Sequence, residues 1–176
     1  MKVAFLDRDG VINEEVNYLH KKDNFKFTPN AISGLRRIIS HGYKIIIVTN
    51  QAGIAKGFFS IEDYYELTNW YMGKLSSLGI DILDIHFCPH HPEGVIPEFS
   101  VDCDCRKPKP GMLEQAGRKY QIDLDLSFIV GDKSSDVEAG LNFGLSRAYL
   151  VETGHKLSTT DYRNYRVYPD LLSIPL

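Results

Sequence analysis

Residues 3–10 read Val-Ala-Phe-Leu-Asp-Arg-Asp-Gly, and this stretch decides the fold class. A short apolar run that ends abruptly in charged residues is typical of a strand buried inside a sheet. Residues 44–48 read Lys-Ile-Ile-Ile-Val, and such a β-branched run is typical of a parallel strand covered on both faces. The same pattern predicts three further strands, over residues 82–87, 128–130 and 147–151.

Helices are predicted between these strands, over residues 30–41, 60–78, 111–120 and 134–142. Asn30 and Ser60 are expected to cap the first two helices, and either Ser134 or Ser135 to cap the last. Strands that alternate with helices indicate an α/β fold. We therefore predict a single Rossmann-like domain with a mostly parallel sheet.

Length and charge limit the classes of function. The chain has 176 residues, which favours one domain over residues 1–176. Its net charge is −3, from 20 basic and 23 acidic residues, so it offers no basic surface to nucleic acid or an anionic membrane. No apolar run approaches the roughly 20 residues of a membrane span. The apolar segment at residues 3–6 is followed at once by charged residues 7–9, so it is too short for a signal peptide. We expect a cytoplasmic protein and, since no long exposed apolar segment is predicted, a monomer.

Polar side chains follow three of the predicted strands. Asp7 and Asp9 follow the first strand, Thr49 and Asn50 follow the second, and Asp132 follows the strand at 128–130. Ligands of parallel α/β sheets bind beyond the carboxyl ends of the strands. These side chains are therefore expected to meet in one crevice.

Asp7 and Asp9 have the spacing of a carboxylate pair that serves one site. A carboxylate can attack phosphorus, and a second carboxyl group can protonate the leaving oxygen and then activate water. Two neighbouring carboxylates repel each other, and Mg²⁺, which prefers oxygen ligands, relieves that repulsion. The alternative is a turn that Gly10 closes, and two aspartates at this spacing, taken alone, favour that alternative.

Two further segments have both a functional and a structural interpretation. Thr49 and the backbone N–H groups that follow it, including that of Gln51, can hold phosphate oxygens or can cap a helix. Asp132 can complete a metal site and Lys133 can pair with phosphate, whereas Asp136 suits the positive end of the helix that follows. Both interpretations of the second segment can hold at once.

All three cysteines lie between residues 88 and 105, within a proline-rich segment, 88–110, that is predicted to be a loop. An odd, clustered set of cysteines argues against a disulfide framework. Three thiolates and one imidazole suit a closed tetrahedral Zn²⁺ site, although the spacing is unlike that of zinc fingers. The candidate ligands are Cys88, His90, Cys103 and Cys105; the residues alone do not separate His90 from His91.

Arg106 and Lys107 follow the last cysteine directly. A folded zinc loop would aim both side chains, Lys107 towards a transferring phosphoryl group and Arg106 towards a more distant phosphate. The alternative is a solvated basic loop, which is the usual fate of such a run. The neighbouring metal site favours the functional interpretation.

The order of these motifs resembles the haloacid dehalogenase (HAD) superfamily of phosphohydrolases. The first motif of that superfamily is matched by Leu6-Asp7-Arg8-Asp9-Gly10, the second by Thr49, the third by a lysine and the fourth by residues 131–136. The resemblance implies that Asp7 is the nucleophile and Asp9 the general acid and base. It also implies that Mg²⁺ is held by the Asp7 carboxylate, the Asp9 main-chain carbonyl and Asp132.

Within the superfamily, residues 88–94, 103–112 and 130–133 look like the D-glycero-D-manno-heptose 1,7-bisphosphate 7-phosphatases. Such enzymes serve the synthesis of activated heptose for bacterial lipopolysaccharide. The resemblance places His90 rather than His91 at the structural zinc and implies that Thr49 and Lys107 steady the phosphoryl group. It implies substrate contacts from Glu15, Val16, Asn17, Tyr18, Asn50, Gln51, Ala52, Arg106 and Lys133.

Two alternatives remain open at this point. The histidinol-phosphate phosphatases share the zinc loop and all four motifs, although Ala-Gly-Ile-Ala-Lys-Gly at 52–57 favours the heptose enzymes. A catalytically inactive, zinc-stabilised binding module is the alternative from another class. The segments after the first and second motifs have no room for a cap domain, so we expect an open, capless site.

Overall fold

The computed structural model describes all 176 residues, from Met1 to Leu176. Its centre is a six-stranded sheet in which every neighbouring pair is parallel. The spatial order is β3-β2-β1-β4-β5-β6. The strands are β1 Val3–Leu6, β2 Lys44–Asn50, β3 Asp84–Cys88, β4 Phe128–Gly131, β5 Arg147–Val151 and β6 Arg166–Tyr168. The predicted α/β class with a parallel sheet is confirmed.

Five α-helices connect the strands. They are α1 Ala31–Ser40, α2 Ile61–Ser77, α3 Gly111–Lys119, α4 Ser134–Phe143 and α5 Thr159–Asn164. Two short 3₁₀ helices occupy Lys22–Asn24 and Pro97–Phe99, the second inside the loop predicted over 88–110. No helix of the structure is long and apolar enough to cross a membrane.

The sheet has a buried cluster on each face because its central strand alternates between them. Ala4 and Leu6 of β1 belong to a cluster of 21 buried residues, and Val3 and Phe5 to one of 11. Leu6 pairs with Ile47 of β2 on one side and with Val130 of β4 on the other. The three strands therefore end at the same edge, and the polar residues that follow them are brought together.

Several local expectations were wrong in detail. Asn30 precedes α1, but its side chain makes no capping bond and donates to Asp170 instead. Neither Ser134 nor Ser135 caps α4; the Asp136 carboxylate accepts a bond from the Lys133 N–H and closes that end. Residues 159–168, for which no element was predicted, form α5 and β6, which extend the sheet by one strand. Ser60 caps α2 as predicted, and its side chain and that of Asp63 form a capping box.

Candidate active site

A cleft of about 480 Å³ opens beyond the carboxyl ends of β1, β2 and β4. Most of the predicted site residues line it: Asp9, Glu15, Asn17, Tyr18, Asn50, Gln51, Ala52, Arg106, Lys107 and Lys133. A recess of about 50 Å³ shares Asp9 and Lys107 with the cleft and adds Asp7 and Asp136. Asp7, Asp9 and Asn50, predicted to converge from separate strands, therefore do meet, and a carboxylate oxygen of Asp132 lies within 4.8 Å of one of Asp7.

Lys107 lies buried between two carboxylates. Its Nζ is 3.0 Å from Asp7 Oδ1 and 2.5 Å from Asp136 Oδ1, and it donates to the Val48 carbonyl at 2.7 Å. An ammonium group has three protons, so all its donors are used. The two acidic neighbours raise the pKa of Lys107 against the opposing effect of burial. Lys107 is therefore a fixed positive charge beside Asp7.

The Asp7 carboxylate is oriented by two donors on the same oxygen. Oδ1 accepts the Arg8 N–H at 2.8 Å as well as the Lys107 bond, and no protein donor contacts Oδ2. Burial raises the pKa of Asp7 to about 6, with Asp136 and Asp9 adding to the rise and Lys107 opposing it. A carboxylate that is partly desolvated and held by one oxygen has the other available as a nucleophile.

Asp9 is held by the buried side chain of Arg8, which occupies the variable middle position of the Asp-x-Asp motif and was not predicted to have a role. Arg8 is 1% exposed, and its Nη2 lies 2.8 Å from Asp9 Oδ2 while its Nε lies 3.2 Å from Oδ1. Asn13 Nδ2 and Gln51 Nε2 also donate to this carboxylate, at 2.9 and 3.0 Å. The Asp9 carboxylate is thus fixed at the wall of the cleft.

Asp132 is clamped from one side. Its Oδ2 accepts the backbone N–H of His155 at 2.8 Å and lies 2.6 Å from the His155 Nδ1. A Cβ at Gly154 would lie 2.1 Å from the same oxygen, so only glycine fits there. Oδ1 is buried without a partner. Burial, then the charge of Asp7, raises the pKa of Asp132, while His155 opposes the rise.

The predicted zinc ligands form one cluster. Cys88 Sγ lies 3.5 Å from Cys103 Sγ and 2.9 Å from Cys105 Sγ, and His90 Nδ1 lies 3.3 Å from Cys105 Sγ. The contact with Cys88 is the largest cause that lowers the pKa of Cys105 to about 5, and it raises the pKa of Cys88. The cluster thus favours a thiolate.

The two basic residues that follow the cluster are held by different contacts. Asn50 Oδ1 accepts the Lys107 N–H at 3.0 Å, and Asn50 Nδ2 donates to the Lys107 carbonyl at 3.1 Å. Arg106 Nη1 reaches the His90 carbonyl at 3.5 Å. Burial, followed by the charges of Arg106 and Lys56, lowers the pKa of His91. Arg106 and Lys107 therefore lie on the side of the cleft nearest the loop.

Comparison with known proteins identifies the family. A family model described as HAD-hydrolase-like matches residues 104–174. The D-glycero-alpha-D-manno-heptose-1,7-bisphosphate 7-phosphatase of Photorhabdus laumondii is 58% identical over 158 residues, which are 90% of this chain and 86% of that protein. The chain belongs to this family of HAD phosphatases.

Two further members are similar. The D-glycero-beta-D-manno-heptose-1,7-bisphosphate 7-phosphatase of Yersinia pestis is 45% identical over 85% of this chain and 80% of that protein. The crystal structure of D,D-heptose 1.7-bisphosphate phosphatase from B. bronchiseptica, complexed with magnesium and phosphate, has a TM-score of 0.81. It is 30% identical and covers 98% of this chain and 95% of its own. The family resemblance inferred from the motifs is confirmed.

The residues of this phosphatase fit both metals that the family resemblance implies. The orphaned Oδ1 of Asp132 is an unsatisfied acceptor, and carboxylate oxygens of Asp7 and Asp132 lie within 4.8 Å of each other, which suits Mg²⁺. Asp136 belongs to the same acidic group, but Lys107 and the Lys133 N–H occupy its oxygens.

The spacing of the ligand atoms in the cysteine cluster suits zinc. Its four ligand atoms all lie within 4.8 Å of one another. Tetrahedral Zn²⁺ with bonds of about 2.0 to 2.3 Å spaces its ligand atoms about 3.5 to 3.8 Å apart. The contacts between cluster atoms run from 2.9 to 3.7 Å, at and below this range, so a bound ion would spread the ligands slightly. His90, not His91, is the imidazole in the cluster.

Two of the predicted substrate or phosphoryl contacts, Thr49 and Val16, line neither the cleft nor the recess. Thr49 is fully buried, and its Oγ1 accepts a bond from Gln51 Nε2 at 2.9 Å. Val16 is 42% exposed and does not line the cleft. Direct contact of either residue with substrate stays a prediction.

Five residues that line the cleft were not predicted as site residues: Gly53, Lys56, Pro108, Ser135 and His155. His155 follows β5 as Asp132 follows β4, so the rule that placed the other groups at strand ends could have found it. Lys56 had no such signal because it lies in a turn several residues beyond the end of β2.

Proposed function

We propose that this phosphatase hydrolyses the C7 phosphate of D-glycero-D-manno-heptose 1,7-bisphosphate through an aspartyl-phosphate on Asp7. The observation that carries the proposal is the 58% identity to a named 7-phosphatase, together with a cleft that the predicted catalytic groups line. We propose the α anomer as the preferred substrate, because the relative at 58% identity is named for it and the relative at 45% for the β anomer. The product serves the synthesis of nucleotide-activated heptose.

The first half-reaction transfers the phosphoryl group to the enzyme. Asp7 Oδ2 forms a bond to phosphorus while the bond from phosphorus to the C7 oxygen breaks. Asp9 gives its proton to that leaving oxygen. Lys107, fixed between Asp7 and Asp136, neutralises charge on the transferring group, and the Lys133 side chain at the shared wall adds a second cation. Mg²⁺ held by Asp7 and Asp132 would supply further charge neutralisation.

The second half-reaction regenerates the carboxylate. Asp9, now ionised and steadied by Arg8, takes a proton from water as the water oxygen attacks phosphorus. The bond between phosphorus and the Asp7 oxygen breaks, and inorganic phosphate leaves. The single carboxyl group of Asp9 is thus the acid in one step and the base in the next.

Sugar recognition is proposed for the cleft residues outside the recess. Asn17, Tyr18, Gln51 and Ala52 line the cleft and not the recess, and they are proposed to contact the sugar. Arg106 is proposed to bind the C1 phosphate. The family match and the catalytic groups speak against an inactive binding module, and nothing in the comparisons favours histidinol phosphate. The single capless domain, monomeric state and cytoplasmic location are kept as parts of the proposal.

The test is phosphate release in the presence of magnesium from both heptose bisphosphate anomers and histidinol phosphate. We expect the highest kcat/KM for the α anomer. A preference for histidinol phosphate would overturn the substrate assignment. In a parallel measurement Asp7→Asn is expected to abolish turnover while thermal unfolding stays cooperative, and an active Asp7→Asn enzyme would exclude the covalent mechanism.

A further inference from the structure

The cleft contains more positive charge than the chemistry at Asp7 uses. Four lysine and arginine side chains line it: Lys56, Arg106, Lys107 and Lys133. Lys107 is neutralised by two carboxylates, whereas the other three have no carboxylate within 4.0 Å. Three unpaired cations in one open cleft match an anionic ligand with more than one charged group.

These cations divide into an inner and an outer set. Lys133 lines both the cleft and the recess that holds Asp7, so it belongs to the proposed site of the reacting phosphate. Lys56 and Arg106 line the cleft alone. A group bound by Lys56 and Arg106 would therefore lie outside the recess while its molecule reaches Asp7.

Lys56 is held in place at this outer position. Its Nζ donates to the Tyr18 hydroxyl at 3.1 Å and lies 5.6 Å from the centroid of that ring. The Tyr18 ring stacks on Phe58, with centroids 4.3 Å apart and planes at 24°. One of the three ammonium protons is thus used to fix the side chain, and two remain for a ligand.

Lys56 and Arg106 are also fastened to the same segment. The carbonyl of Ala55, next to Lys56, accepts the N–H groups of Val95 and Ile96 at 2.8 and 3.0 Å. Arg106 reaches the His90 carbonyl of the same loop. The loop that holds the cysteine cluster therefore connects the two outer cations and fixes the spacing between them.

We propose that Lys56, fixed by Tyr18, binds together with Arg106 the phosphate that is not hydrolysed, and so makes the enzyme select sugar bisphosphates over monophosphates. The proposal rests on the proposed function, because it concerns the second phosphate of that substrate. It assigns a specificity role to a residue outside the four motifs of the superfamily.

The experiment compares Lys56→Met with the native enzyme on heptose 1,7-bisphosphate and on heptose 7-phosphate, which lacks the second phosphate. Loss of one charge-assisted hydrogen bond is expected to lower kcat/KM for the bisphosphate about 10-fold, mainly through KM. The effect on the monophosphate is expected to stay within about 2-fold. Lys56→Arg keeps the charge and is expected to restore most of the bisphosphate preference.

Lys22→Met, at an exposed lysine outside the cleft, is the matched control. An equal loss on both substrates, or an unchanged kcat/KM for the bisphosphate in Lys56→Met, would overturn the assignment of Lys56. Failure of the proposed function is a separate result, since it would be seen in the native enzyme as an absence of heptose bisphosphate turnover. Thermal unfolding of each variant shows that the comparison is made on folded protein.

Discussion

Replacement of Lys107 by methionine is expected to destabilise the fold as well as to stop the chemistry. Methionine has a similar length but no charge, so Asp7, Asp136 and the Val48 carbonyl lose the donor they share. Removal of one partner from a buried charge pair costs about 3 to 5 kcal/mol, because the remaining charge is left uncompensated. That is a large part of a total stability of about 5 to 15 kcal/mol.

The pH dependence of this loss follows from the carboxylates. Burial already raises the pKa of Asp7 in the folded state, and without the ammonium group that pKa is expected to rise further above its unfolded value. An acid whose folded pKa is raised destabilises the fold as pH rises through the interval between the two values. The deficit of Lys107→Met relative to the native protein should therefore narrow as pH falls from about 7 to about 5.

Urea unfolding without added magnesium measures the loss. Lys109→Met is the matched control, since Lys109 is 43% exposed and pairs with an exposed aspartate, and it should change the free energy of unfolding by less than about 1 kcal/mol. Asp136→Asn added to Lys107→Met should recover part of the stability. A Lys107→Met protein within about 1 kcal/mol of the native value at neutral pH would refute the reasoning.

Three further outcomes are expected. Mg²⁺ affinity should fall as pH is lowered through about 6, because burial raises the pKa of Asp7 to about 6 and that of Asp132 in the same direction; calorimetric titration at several pH values tests this. His155→Ala should weaken Mg²⁺ binding about 10-fold and His155→Asn less, since the imidazole holds Asp132 Oδ2; equal affinities in calorimetry would contradict it. Cys105→Ser should lose zinc by elemental analysis and lower the thermal midpoint, and added magnesium should not restore it; an unchanged midpoint would exclude a structural role.

The sequence was sufficient for the central strands and for most groups at their ends. Residues 3–6 and 44–48 are continuous apolar runs, and a parallel sheet necessarily brings the ends of such strands to one edge. The positions of Asp7, Asn50 and Asp132 then follow from chain order alone. The cysteine and histidine cluster could be predicted for a different reason, because its combination of ligand types is rare outside metal sites.

The predictions that were wrong or missing share a physical cause. In each case the local pattern does not show a contact made by residues far along the chain. Asn30 has the residue type of a helix cap, but Asp170, 140 positions away, accepts its amide bond. Arg8 is in the variable position of its motif, and its role as the partner of Asp9 depends on burial that no local pattern shows. The short edge strand β6 has no continuous apolar run to predict it.

The loop that carries the cysteine cluster supports Arg106 more than it supports Lys107. Lys107 is fixed by contacts outside that loop, namely the two carboxylates and the paired bonds with Asn50. Arg106, by contrast, has one side-chain hydrogen bond, to the carbonyl of the zinc ligand candidate His90. Because Arg106 depends on the loop and Lys107 does not, we expect a disturbance of the cysteine cluster to act first on the phosphate recognition proposed for Arg106. The cleft thus combines a reaction centre fixed on the sheet with an Arg106 side whose geometry would depend on the metal that the cysteine cluster is proposed to hold.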